Sequence, residues 1–217
     1  MKSVKNIKKL VLLALFTAIS YTIVACIRIP VAGFLSYEPK DVIITIGGFL
    51  LGPTASLVIS ALVSLLEMVT FSTTGPIGCL MNFLSTCSFA CTAAFIYKRS
   101  RTVLGAILGL AMGSGVMVGI MLLWNWLITP LYMGVSREVV EGMLFTTFLP
   151  FNLLKAGMNT AFILGLYKPL VMALRKAGLV APQAASTHSS ARLWVTVLSV
   201  VLLGTCIFLL LVFQGKI

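Results

Sequence analysis

The chain has 217 residues, 59% of them hydrophobic and 10% charged, where a soluble domain carries about 25% charged residues. That balance excludes a soluble enzyme or nucleic-acid-binding domain, so the formal charge of +11 has to be read by its distribution between loops of an integral membrane protein, with no nucleic-acid partner.

A span needs about 20 mostly apolar residues. Seven runs qualify or nearly so: Lys9 to Ile27, Val42 to Leu51, Thr54 to Phe71, Ile77 to Tyr97, Val103 to Ile128, Phe145 to Leu174 and Leu193 to Phe213, the second being short. With the N-terminus in the cytoplasm, Lys2, Lys5, Lys8, Lys9, Lys98, Arg99, Arg101, Lys168, Arg175, Lys176 and Arg192 all face inward, 11 of the 16 basic residues. Glu38, Asp41, Glu67, Glu138 and Glu141, all the acids of the chain, then fall on or near the outer side, and the C-terminus lies outside.

The first span carries Ala14-x-x-x-Ala18, two small side chains one turn apart that admit another helix closely, from this chain or another. It ends in "IVAC", a lipoprotein-like pattern after a lysine-rich start, but the run is long enough to span and its removal would upset the charge topology. "ACIRIPVAGFLSYEPKD" follows, where Pro30, Gly33 and Pro39 break any helix and the apolar groups suit a loop folded back as a lid. In "STTGPIG", Pro76 stands where a proline commonly starts a helix. The fifth span has a glycine stripe at Gly105, Gly109 and Gly113, with Gly115 and Gly119 on a neighbouring face, best read as internal packing. A third outer loop, "TPLYMGVSREVVEGM", contains Tyr132. After the sixth span, "KAGLVAPQAASTHSSAR" has the composition of a linker, and its His188 has no second ligand nearby for a metal. The last span is almost devoid of polar groups; of a lipid-facing appendage, a docking element or a regulator, that favours the appendage, whose deletion leaves binding intact. Cys26, Cys79, Cys87, Cys91 and Cys206 lie in or beside apolar runs, without CxxC spacing, and read as small packing residues.

Polar groups at membrane depth need a partner, a wet cavity or a ligand. Glu67, Asn82, Asn125, Asn152 and Lys155 all fall in the outer half. Asn152 and Lys155 are three apart in "LPFNLLKAG", on one helical face, and Pro150 is placed to start that helix with nearby N–H groups free. The alternative is that Lys155 pairs with Glu67 or snorkels outward while the asparagines bridge helices. Trp124, Trp126 and Tyr132 sit at the same level, as an interfacial belt or as stacking groups. There is no GxSxG, HExxH or GxxxxGK[ST], and no paired inverted halves, so the pattern is that of a non-catalytic binder driven by another protein's energy.

Five stretches, "ALFTAIS", "LSYEPKDVIITIGGFLLGP", "GPIGCLMNFLS", "PLYMG" and "LPFNLLKAG", in this order, resemble the substrate-binding S components of energy-coupling factor (ECF) vitamin transporters, of the riboflavin type. The resemblance covers Lys9 to Leu174. It implies an all-α, six-helix core in the bacterial cell membrane (domain 1–176), to which this chain adds a linker (177–192) and a further helix (193–217). It also implies an outward-opening pocket under the first outer loop. The Ala14 and Ala18 face would pack on a T component that carries two ATPase subunits. Riboflavin would be the transported ligand, with no cofactor: Asn152 and Lys155 for its polar edge, Asn82 and Tyr37 for ring or ribityl contacts, Trp124, Asn125 and Tyr132 as further ligand-binding residues, and Met81, Leu80 and Phe151 as apolar wall. An S component for another vitamin or a nucleobase-like ligand, and a structural membrane protein glued by its asparagines, are the alternatives.

Overall fold

The computed structural model describes residues 2–33, 35–70, 72, 74–179 and 189–214, with backbone alone at 2–5, 32, 189–193 and 213. The central linker, with His188, lies outside the described residues. The elements are α1 (Lys2–Cys26), β1 (Ile29–Ala32), β2 (Leu35–Tyr37), α2 (Lys40–Leu51), α3 (Pro53–Thr70), α4 (Gly75–Ser100), α5 (Val103–Met133), α6 (Arg137–Met143), a π-helical turn (Leu144–Phe148), α7 (Leu149–Lys176) and α8 (Ser189–Phe213).

Among the described residues, six helical stretches are long and apolar enough to cross a membrane: α1, α3, α4, α5, the continuous α6–α7 unit and α8. The expected second span is not among them. At 12 residues α2 is about 18 Å long, short of a hydrocarbon core of about 30 Å. It is an internal helix, buried from Lys40 to Gly48, and Gly52 (φ +100°) turns it back against α3. The two run antiparallel: Gly47 faces Ile59, and Gly48 lies so close to Ser56 that a Cβ there would stand 1.9 Å from its Oγ. Lys40, at the far end of α2, meets Glu67.

The stripe on α5 is internal, as the spacing suggests. A Cβ on Gly109 would lie 2.7 Å from the Ala93 carbonyl oxygen, and one on Gly113 would lie 2.6 Å from that of Phe89, so α4 and α5 touch backbone to backbone. Gly115 and Gly119 face open space. The third outer loop is far shorter than expected. Helix α5 continues through Pro130 to Met133, Gly134 (φ +65°) caps it in the left-handed region, and Ser136 already leads into α6.

The first outer loop is ordered and non-helical, as read. It forms a small antiparallel hairpin, Ile29 opposite Tyr37 and Pro30 opposite Ser36, whose register shifts between Pro30 and Ala32. Such a hairpin is marginal alone and needs packing beneath it. That support is a buried cluster of Val31, Leu35, Tyr37, Val140, Phe148, Phe151, Leu154 and Met158, completed by Cys206 and Leu210 from α8. Helix α8 is therefore not a detached appendage. Ser199 Oγ donates to the Ala161 carbonyl of α7 at 2.7 Å, and Cys206 sits on Gly157, where a Cβ would come within 2.7 Å of its sulfur. The opposite face of α8, with Trp194, Val200 and Val201, is exposed, as a lipid-facing surface requires.

At the end of the molecule away from the hairpin, Phe49 stacks on Tyr97 (4.4 Å between centroids), and the Tyr97 and Tyr167 hydroxyls bond at 2.9 Å. Lys98, Arg99, Arg101, Lys168, Arg175 and Lys176 follow these tyrosines in sequence, so the basic residues gather at that end.

Candidate functional site

The ends of α3, α4, α5 and α7 nearest the hairpin enclose buried charge. Lys40, fully buried at the start of α2, donates to both Glu67 oxygens (2.5 and 2.6 Å) and pairs with Glu38 at 2.7 Å. Glu38 in turn pairs with Arg28 at 2.9 Å, and Asn82 Nδ2 donates to Glu67 Oε2 at 3.0 Å. The next residue, Asp41, accepts from Thr86 Oγ1 (2.6 Å) and Asn159 Nδ2 (3.2 Å) and pairs with Lys155 Nζ at 3.2 Å. Lys155 also donates to Ser85 Oγ at 3.1 Å, and Tyr37 OH donates to Asn159 Oδ1 at 3.0 Å. Three cations (Arg28, Lys40, Lys155) thus meet three anions (Glu38, Asp41, Glu67), the neutrality that buried charge demands. Burial alone would push the Glu38 carboxyl up; Lys40, Lys155 and Arg28 outweigh it and hold Glu38 below the usual carboxylate range. Burial, aided by Asp41, pushes the Tyr37 phenol well above its ordinary value, so it stays a neutral donor.

Above this network lies a cleft of about 820 Å³, lined by Arg28, Leu35, Ser36 and Glu38 of the first loop, Ser72 and Thr74, Met81, Asn82 and Ser85 of α4, Met121 and Asn125 of α5, and Phe151, Asn152 and Lys155 of α7. Of the residues singled out in the sequence, Asn82, Asn125, Asn152, Lys155, Met81 and Phe151 come together here. Asn152 Nδ2 donates back to the Phe148 carbonyl at 2.8 Å, which fixes the side chain and leaves its oxygen as an acceptor. Asn125 is held similarly, through the Met121 carbonyl (2.7 Å) and Thr129 (2.9 Å). Two of the three Lys155 N–H groups are engaged, by Ser85 and Asp41. The cleft combines a thioether and aromatic wall with the amides of Asn82, Asn125 and Asn152 and the Lys155 ammonium.

Other expected residues lie elsewhere. Lys155 does not meet Glu67, because Lys40 already holds that carboxylate; its partner is Asp41. Tyr37 points to the opposite side of β2 from Ser36, under the hairpin, as strand alternation dictates, and reaches the network through Asn159. Trp124 and Tyr132 line a smaller neighbouring cleft of about 310 Å³ between α4 and α5, which shares Thr74 and Met81 with the first. Leu80 is 48% exposed on the outer face of α4 and forms no part of the wall. Trp126 donates to Glu141 Oε1 at 3.0 Å and carries the Arg137 guanidinium over its ring, an arrangement of the rim. Sequence reasoning missed Lys40, Asp41, Asn159, Ser85 and Thr86. The available signal was the pair Lys40-Asp41 at the head of a run of 25 residues without charge, with Asn159 four residues beyond Lys155 on the same helical face. Among the described residues no group of three or more metal-ligating side chains gathers.

A helical bundle of membrane-crossing length, with a cleft at one end and a neutralised polar floor, defines a membrane-embedded small-molecule binding protein. Along residues 8–171 the chain matches the model of the ECF transporter substrate-specific component, and it belongs to that family. It is 26% identical over 178 residues to the "Riboflavin transporter RibU" of Staphylococcus aureus (strain TCH60), covering 78% of this chain and 93% of that protein. It is likewise 26% identical over 162 residues to the "Riboflavin transporter FmnP" of Bacillus subtilis (strain 168), covering 69% and 85%. A solved chain described under "Structure and mechanism of the S component of a bacterial ECF transporter" superposes with a TM-score of 0.66 at 28% identity, over 78% of this chain and 99% of that one.

Proposed function

We propose that the cleft binds riboflavin at the outer face of a bacterial cell membrane and that the chain delivers it inward with a T component and two ATPase subunits. The carrying observation is the conjunction, in one cleft, of the Lys155 ammonium and the Asn152 and Asn82 amides with the Met81, Met121 and Phe151 wall. A flavin has the complementary pattern: a flat apolar ring system, one edge alternating carbonyls and an N–H, and a hydroxylated chain. The two relatives named riboflavin transporters, each spanned over most of its length, support the same ligand.

The gathering of basic residues at the far end supports a cytoplasmic N-terminus and an outward cleft. Ala14 and Ala18 lie on the exposed face of α1, which leaves a small-residue surface for the T component. The test is purification in detergent without added ligand, followed by absorbance and mass spectrometry of what denaturation releases. Riboflavin in near-stoichiometric amount supports the reading, and a different bound compound would replace it with that cargo.

A further inference from the structure

The β1–β2 hairpin supplies Leu35 and Ser36 to the cleft, yet two strands of four and three residues cannot hold themselves in place. Its stem is fixed by ion pairs, Arg28 to Glu38 and Glu38 to Lys40. Its other strand is held from outside the S-component core. Gln214, just past the end of α8, donates from Nε2 to the Pro30 carbonyl of β1 at 2.8 Å, at the point where the ladder register shifts. One turn earlier Leu210, and another earlier Cys206, are buried in the same cluster as Val31, Leu35 and Tyr37. Helix α8 is itself anchored on α7 by Ser199 and by the seat at Gly157. The family match ends at residue 171, before α8 begins.

We infer that the C-terminal helix is a brace for the cover of the cleft, with Gln214 and Leu210 as positioning residues that set how long a bound ligand is retained. The inference rests on the ligand-binding reading of the cleft for its consequence, but the brace itself is a mechanical relation between α8 and β1. Helix α7 carries Asn152 and Lys155 on one side and α8 on another, so α8 joins the hairpin to the helix that supplies the polar edge. Removing the brace frees β1 while leaving the ion-paired stem and the floor of the cleft intact.

The experiment compares hydrogen–deuterium exchange of the full chain in detergent with that of Gln214→Ala/Leu210→Ala, using Val200→Ala/Val201→Ala on the exposed face of α8 as control. Amides of the two strands should exchange at least about fivefold faster in the first variant, with α3, α4 and the control unchanged. Gln214→Ala alone, which removes one bond and no core packing, should move the strands in the same direction by a smaller factor. Strand exchange identical to the native chain in both variants overturns the brace. Riboflavin release, followed by the return of its fluorescence on dilution, should accelerate in the same order. Unchanged release with accelerated exchange would overturn the retention role. Failure of the native chain to bind riboflavin would strike the ligand reading alone, because the exchange comparison decides the brace without it.

Discussion

Lys155 of α7 and Asp41 of α2 meet at 3.2 Å in the floor of the cleft, the lysine 6% exposed and the aspartate fully buried. Asp41 is wholly cut off from water and Lys155 meets it only through the cleft, so each charge leans on the other. Removing one partner leaves an unpaired buried charge, a loss of about 3–5 kcal/mol in comparable buried pairs. Asp41→Ala and Lys155→Ala should each lower the melting temperature in detergent, and Asp41→Asn/Lys155→Met should recover most of it. The double variant should still fail to bind ligand. Additive losses in the double variant would show that the pair is not coupled.

The Glu38 carboxyl should make the first loop sensitive to acid. Its folded-state pKa lies below the unfolded value, so its contribution is fully present above the ordinary carboxylate range and is lost as pH falls through the depressed folded value. Melting curves of the native chain and Glu38→Gln, taken from neutral to about pH 3, should differ at neutral pH and converge at the acid end. A constant offset across that range would contradict the assignment.

The glycines of α5 should separate into two classes. Gly113→Ala pushes a methyl against the Phe89 carbonyl and should destabilise by about 1–3 kcal/mol, as overpacking does. Gly115→Ala and Gly119→Ala meet open space, and each should be neutral or stabilising by up to about 1 kcal/mol, since glycine weakens a helix interior. Thermal melts of the three variants check this directly.

The legible part of this molecule was the part that lipid makes anomalous. Asn82, Asn125, Asn152 and Lys155 stand out because each interrupts an apolar run, and the structure gathers them in one cleft. Lys40 and Asp41 were equally important and read as loop residues, because they follow Pro39 at the edge of a run; only the packing of α2 between α3 and α7 buries them. The same run made α2 look like a crossing helix, since hydropathy does not distinguish a short helix buried in protein from one facing lipid. Tyr37 was misplaced for want of a register: once β2 is known to be a strand, Ser36 and Tyr37 must face opposite ways. The role of α8 was hidden because its contacts are made by Ser199, Cys206 and Leu210, which no local pattern distinguishes from their neighbours.

The exposed small-residue face of α1 should be separable from the cleft. Ala14→Leu/Ala18→Leu adds bulk where the chain itself makes no close packing, so folding and ligand binding should be retained. Co-purification with T and ATPase subunits, and uptake into cells dependent on this transporter, should be lost. Retained uptake would place the docking surface elsewhere.

The most direct test of the central claim is titration of the purified chain with riboflavin, followed by fluorescence quenching, beside Lys155→Ala and Asn152→Ala. The native chain should quench saturably and near-stoichiometrically, and each variant should bind at least about tenfold more weakly, the loss expected for one or two buried hydrogen bonds to the ligand. Folded native protein that leaves riboflavin fluorescence unchanged, or variants that bind as the native chain does, would contradict that claim.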